Sequence, residues 1–127
     1  MQAQDKDTYG NFIMKLDSIG ITNSVRFAHV DNTIKFSELD VVKAVVNKSS
    51  DYCSQIIRRL SEEVQSEVRA NCTELKFKGV GQKESTLITF QGVLKLIMAL
   101  PGINAREMRT KFATVLQEVM FDLVYEM

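Results

Sequence analysis

Two stretches of the chain alternate between apolar and polar positions, and this period of two predicts β-strands. The first alternation runs through residues 25–30, and a second run covers residues 33–36. The pair Asp31-Asn32 lies between them, and both residue types suit a tight two-residue turn. The pattern therefore predicts a short β-hairpin near the start of the ordered part of the chain.

The other alternating stretch, residues 75–78, carries two lysines. Leu75 and Phe77 alternate there with Lys76 and Lys78, the segment Gly79-Val80-Gly81 follows, and a largely apolar run covers residues 86–90. Glycines between two such runs are typical of a connecting loop. We expect a second hairpin with a long, glycine-bearing loop.

Helical spacing marks the segment between the two hairpins. Ser37, with Asp40 three residues later, resembles a capping box and predicts a helix start. Ser49 or Ser50 can cap the next helix, and a third spans residues 61–70. Apolar residues at helical spacing mark the buried faces of the first two helices: Leu39, Val42, Val45, Val46, Cys53, Ile56, Ile57 and Leu60.

The carboxyl-terminal part of the chain predicts two further helices. Residues 92–100 are almost wholly apolar, which indicates a buried helix that ends at Pro101-Gly102. Asn104, with Glu107 three residues later, predicts a capping box at the start of the last helix. We expect the apolar stripe of this helix to belong mostly to the domain's own core: Met108, Phe112, Val115, Leu116, Val119, Met120 and Leu123.

These elements predict an α+β fold with two short β-hairpins, four to five helices, and a long C-terminal helix packed on the core. A chain of 127 residues fits one domain, which we place at residues 24–127. Residues 1–23 form an N-terminal extension. Its apolar residues at helical spacing could form one short helix: Phe12, Ile13, Leu16 and Ile19.

Candidate chemistry is sparse along the chain. There is no phosphate-binding loop and no nucleophile motif, and His29 is the one histidine, so we expect neither an enzyme nor a metal, cofactor or small-molecule site. Cys53 and Cys72 lack metal-ligand spacing and are interpreted as reduced thiols, with a single disulfide as the alternative. No apolar run is long enough to cross a membrane, and the polar start is unlike a signal peptide. An intracellular protein, cytoplasmic or nuclear, is the expectation.

Charge is balanced overall but not along the chain. Sixteen basic and sixteen acidic residues sum to zero, which by itself argues against a nucleic-acid partner. Residues 69–111, however, hold eight basic and three acidic residues, a local charge of +5 offset by −5 elsewhere. Lys76 and Lys78 project from one side of a strand and Lys83 lies in the adjoining loop, so together they could line a phosphate backbone. The alternative is that these lysines protect a solvent face or a sheet edge.

Arginines supply a second set of candidate DNA contacts. Arg58 and Arg59 on the second helix suit contacts to a groove or to phosphates, and the alternative is salt bridging to Glu62 or Glu63. Arg106 and Arg109 of the last helix could flank the same positive face.

The order of these elements resembles a known domain. In residues 35–63, an aromatic residue precedes an Asp-Val helix and a short basic helix follows; in residues 86–120, a strand leads to a Gly-containing helix, a proline and a long helix. This order resembles the amino-terminal domain of baculovirus repeated-ORF (BRO) proteins and phage antirepressors, which is related to KilA amino-terminal domains. The matching positions are Phe36, Asp40, Val41, Ala44, Ile56, Ile57, Arg58, Arg59, Ile88, Gly92, Val93, Leu96, Pro101, Ala105, Arg109 and Phe112.

The resemblance implies a DNA-binding module, the N-terminal domain of a larger viral, phage-type or virus-derived regulatory protein. A second hypothesis from the residues themselves is a protein-interaction or homo-oligomerisation module, a possible homodimer, that uses the C-terminal helix. Its sequence keeps apolar residues to the last turns, and the candidate interface residues there are Phe121, Leu123, Val124 and Tyr125.

Overall fold

Four antiparallel strands and five helices make up the part of the chain that the computed structural model describes, which is residues 25–78 and 83–126, with side chains to Asp122. The fold is α+β with a curled sheet, as predicted. The residues of the predicted N-terminal extension and the loop 79–82 lie outside this description. In chain order the elements are β1 (Phe27–Val30), β2 (Thr33–Ser37), α1 (Glu38–Val46), α2 (Ser50–Arg59), α3 (Glu62–Val68), β3 (Thr73–Lys76), β4 (Glu84–Ile88), α4 (Phe90–Ala99) and α5 (Ile103–Glu126).

The first hairpin forms as its sequence predicts. Val30 pairs with Thr33, which leaves Asp31 and Asn32 as the two turn residues, with φ of 50° and 64°. Both angles lie in the left-handed region, which Asp and Asn tolerate better than other non-glycine residues. The two-residue turn sets the register that pairs Phe36 with Phe27.

The second hairpin places β3 at an edge of the sheet, whose strand order is β1-β2-β4-β3. The expected strand over residues 86–90 lies two residues earlier, at Glu84–Ile88. The expectation was wrong at its end because Thr89 caps a helix: its hydroxyl accepts a hydrogen bond from the Gly92 amide. Phe90 is consequently the first residue of α4.

Three serine caps start the helices that precede β3. The side chains of Ser37, Ser49 and Ser61 each accept a backbone N–H three residues later. Only half of the predicted capping box at Ser37 forms, because the Asp40 carboxylate binds Arg26 instead.

The hydrophobic core lies between the helices and one face of the sheet. Phe36 and Ile88 contribute from paired positions of β2 and β4, and α4 contributes three fully buried side chains. Gly92 permits the close packing of α3 on α4, since a Cβ at this position would lie 2.4 Å from the Val68 carbonyl oxygen. The fully buried side chains of α4 are Val93, Leu96 and Ile97.

The last helix begins at Ile103, two residues before the start that a cap at Asn104 predicts. Asn104 is inside its first turn and does not cap it; the Asn104 amide donates to the Val45 carbonyl at 3.0 Å and ties α5 to α1. Gly102, at φ 101°, makes the bend that allows the helix to start at Ile103.

The long helix packs on the core, as predicted, but only through its first turns. Ala105 and Met108 are buried and Phe112 is half-buried. The expectation that most of the stripe belongs to the core was wrong for the described residues, because α5 extends past the elements it packs on. Four stripe residues are exposed: Val115, Leu116, Val119 and Met120.

Candidate nucleic-acid interface

The loop end of the second hairpin carries three lysines. Lys76 ends β3 and lies opposite Glu84, the first residue of β4, while Lys78 and Lys83 belong to the connection between the strands. All three lysine side chains are exposed. Because β3 is an edge strand, its lysine also fits the alternative of a protected sheet edge.

An arginine stack fixes the position of this lysine cluster on the domain. Phe77 lies between Lys76 and Lys78 in the sequence. The curled sheet places the Arg26 guanidinium 4.7 Å from the centre of the Phe77 ring. The same guanidinium forms two hydrogen bonds to the Asp40 carboxylate, at 2.8 and 3.1 Å. These bonds hold the pKa of Arg26 above its usual value. Arg26 and Phe77 therefore attach the base of the lysine cluster to α1.

Arg58 and Arg59 occupy the last turn of α2 and are exposed. Within the described residues neither guanidinium forms an ion pair, so the alternative of salt bridges to Glu62 or Glu63 is not observed there. Helix α2 packs on α1, whereas β3 packs on β4. These arginines and the lysine cluster therefore lie on different secondary-structure elements of the domain.

Arg106 and Arg109 differ in role although both lie in the first turns of α5. Arg106 is exposed. The Arg109 guanidinium donates to the carbonyl oxygens of Ile97 and Leu100, at 3.1 and 3.0 Å. These carbonyls end α4 and lack helical partners, so Arg109 caps one helix from the next. Its charge is committed to holding α5 on the domain.

One charge of the basic segment is neutralised by a distant acid. The Arg69 guanidinium binds the Glu38 carboxylate, with its shortest contact at 2.7 Å. Hydrogen bonding to Glu38 raises the pKa of Arg69. The two residues are 31 positions apart, and no local pattern predicts the pair. The local charge of +5 is therefore an overestimate of what the folded surface presents.

The sequence pattern does not predict the structural role of one buried lysine, Lys35. Lys35 is 9% exposed, and its ammonium donates to the Asn71 carbonyl at 2.6 Å and to the Thr73 hydroxyl at 2.8 Å. These bonds hold the turn between α3 and β3. Lys35 consequently supports the edge strand from inside the domain.

The cysteines and the acidic side chains offer little further chemistry. Cys53 is buried, Cys72 is half-buried, and both thiols are free. Desolvation raises the pKa of the Cys53 thiol. Across residues 25–78 and 83–122 no cluster of His, Cys, Asp and Glu could hold a metal ion. None of the helices in the described ranges has both the length and the apolar character that crossing a membrane requires.

A shallow, mainly apolar cleft of about 250 Å³ lies between α1, α2 and the start of α5. Tyr52 and Ile103 stand exposed among its lining residues, and Lys48 supplies a positive charge. Among the lining residues, Lys48, Tyr52 and Asn104 carry polar side-chain groups.

The expected oligomer interface is described only in part. Phe121 is exposed, but it follows Val119 by two residues and so lies about 200° further round the helix, away from the stripe. Leu123, Val124 and Tyr125 belong to α5, and their side chains lie outside the description. The exposed residues that continue the core-facing side are Val115, Leu116 and Val119.

Comparison of the chain with protein-family models, with curated proteins and with solved structures found no match.

Proposed function

We propose that the chain is a DNA-binding module that contacts the phosphate backbone through Lys76, Lys78 and Lys83. The observation that carries this proposal is their convergence: three exposed lysines from two segments lie at one end of a hairpin, with Glu84 as the acid facing Lys76 across the strand pair. The element order that resembles BRO and antirepressor amino-terminal domains also supports it, and extends it to a part in a viral or phage-type regulatory protein.

The chemistry of this contact is electrostatic. Lysine ammonium groups bind phosphates as point charges and release condensed counterions, which gives affinity with little dependence on sequence and a steep dependence on salt. Arg58, Arg59 and Arg106 are exposed and extend the basic surface if the duplex reaches them. An arginine that reaches a base edge would supply sequence preference.

Asp40 and Glu38 support the proposal indirectly. Both are acids of the first turn of α1, and each is bound by an arginine. Their negative charge is therefore compensated within the domain and opposes an approaching phosphate less than free carboxylates would.

A salt series with labelled duplex DNA tests the proposal. Fluorescence anisotropy should show micromolar binding at low salt and a steep loss of affinity at moderate salt. The pair Lys76→Ala/Lys78→Ala should shallow the slope of log affinity against log salt by up to about 2, because each lost phosphate contact removes about 0.9.

The matched control is Lys43→Ala/Lys48→Ala, which removes two exposed lysines from α1 and the residues after it. It should leave the slope nearly unchanged. Absence of binding at low salt and micromolar protein contradicts DNA binding altogether. If Arg58→Ala/Arg59→Ala reduces the slope and the lysine pair does not, the protein binds DNA but the hairpin site is wrong.

A further inference from the structure

The core-facing side of α5 continues beyond the domain that it packs on. Met108 is buried, Phe112 is half-buried, and Val115, Leu116 and Val119 are 44%, 62% and 51% exposed. Spacings of three and four residues keep these side chains on one side of the helix. The same side of α5 is therefore buried in its first turns and exposed to solvent in its second half.

This exposed stripe is unlike scattered surface apolar residues. Leu116, Val119 and Met120 are neighbours on adjacent turns, and all are more than half exposed. Contiguous apolar patches on a soluble protein mark interaction sites more often than chance. A helix of 24 residues is about 36 Å long, so its second half, without tertiary packing, gains little stability from propensity alone.

The position of the domain restricts what can cover the stripe. At Ala105 and Met108 the same side of the helix is occupied by the core. A partner helix must therefore contact only the second half of α5, and the domain attached to that helix must lie beyond the C-terminal end of α5. A second copy in antiparallel orientation meets this condition, since the domain of each copy then lies beyond the C-terminal end of the other copy's α5. The contact is isologous, so one stripe covers the other.

Charges beside the stripe favour the same orientation. Lys111, Glu118 and Asp122 are spaced by seven and four residues and so follow one flank, with the basic residue nearer the body. Antiparallel helices bring like flanks together in reverse order. Lys111 of each copy then lies nearest Asp122 of the other, while Glu118 lies near its own counterpart at the centre of the contact, so the complementary pair is Lys111 with Asp122. The two helix dipoles oppose each other favourably.

We propose that two copies of the chain pair antiparallel through the second halves of α5, burying Val115, Leu116, Val119 and Met120. This pairing does not depend on DNA binding. Combined with it, the dimer would present two lysine clusters related by a two-fold axis, an arrangement that suits paired DNA half-sites.

Sedimentation velocity of the full chain over a range of about a hundredfold in concentration tests the pairing. We expect a concentration-dependent shift from the 14.4 kDa monomer to twice that mass. Leu116→Asp should weaken association at least tenfold. Its control is Gln117→Asp at the adjacent position, which lies about 100° round the helix and away from the stripe; it should leave the dissociation constant within about twofold.

Val119→Asp is the second variant if Leu116→Asp fails to fold, as judged by circular dichroism. The charge order is tested by Lys111→Glu, which should weaken pairing, and by Lys111→Glu/Asp122→Lys, which reverses the facing pair and should restore it. Recovery in the double variant supports the antiparallel order.

Three results would overturn the proposal. A wild-type monomer at every concentration excludes a second copy, and if Leu116→Asp also lowers the thermal stability of that monomer, another segment of the chain covers the stripe. A dimer that Leu116→Asp and Val119→Asp leave intact associates through a different surface. A dimer that Lys111→Glu strengthens has the charged flanks in another order.

Discussion

Helix α4 and the second half of α5 carry similar apolar residues at similar spacing, but those of α4 are buried and those of α5 are exposed. Val93, Leu96 and Ile97 of α4 are fully buried against the sheet and α3, whereas Leu116 and Val119 of α5 are more than half exposed. The difference comes from where the rest of the chain lies. A stripe specifies which side of a helix is apolar, and the neighbouring elements decide whether it is covered.

Truncating one leucine in each region gives the largest contrast. Leu96→Ala should lower the free energy of unfolding by about 2–5 kcal/mol, since it opens a cavity in the core. Leu116→Ala should change it by less than about 0.5 kcal/mol at a concentration where the protein is monomeric. Urea unfolding at about micromolar protein measures both. Equal losses would mean that the stripe is covered within one chain.

The ion pair between Arg69 and Glu38 gives the next effect. The Glu38 side chain is 4% exposed, so Arg69→Met leaves a buried carboxylate without its partner. Removal of one member of a buried pair costs about 3–5 kcal/mol, and because Arg69 is 39% exposed we expect about 2–3 kcal/mol. Arg58→Met at an exposed site should cost less than about 0.5 kcal/mol. Adding Glu38→Met to Arg69→Met should recover part of the loss; no recovery would argue against the pair.

The contacts of Arg109 that attach α5 to the end of α4 have a smaller effect on the free energy of unfolding. Arg109→Met removes donors to two carbonyls at the end of α4 and should cost about 1–2 kcal/mol, whereas Arg106→Met on the same helix should be nearly neutral. Chemical denaturation compares the two variants. Equal stability of both would show that the Arg109 contacts do not anchor the helix.

The two cysteines give the smallest effect. Cys53 is buried with a raised pKa, and Cys72 is half-buried, so alkylation followed by mass spectrometry should label Cys72 first. Because the folded state favours the neutral Cys53 thiol, that stabilisation is complete below about pH 9 and decreases as the pH rises towards the folded pKa. Cys53→Ala should remove this alkaline decline. Faster labelling of Cys53 would contradict its burial.

Local chemistry predicts most of the fold. The Asp31-Asn32 turn and the Ser37 and Ser49 caps follow from neighbouring residues, and each forms in the structure. The predictions fail where tertiary contacts compete with local ones. Asn104 could cap α5, but its amide binds the Val45 carbonyl, 59 residues away.

The candidate site is less accessible to such reasoning because it depends on long-range pairs. Alternation predicts Lys76 and Lys78 on one strand, but β3 ends at Lys76, so only Lys76 lies on the edge strand and Lys78 belongs to the connection after it. The roles of Arg26, Arg69 and Arg109 depend on partners that no period or motif predicts: Asp40, Phe77, Glu38, Ile97 and Leu100. Counting charges along a segment cannot separate an arginine on the surface from one that caps a helix.

Amide hydrogen exchange measured as a function of protein concentration tests the contrast between the two helices most directly. In dilute solution, the amides of residues 113–122 should exchange much faster than those of α4, and their protection should rise as the protein is concentrated, while that of α4 stays constant. Equal protection of the two helices at the lowest concentration, with no dependence on concentration, would show that the second half of α5 is already covered within a single chain.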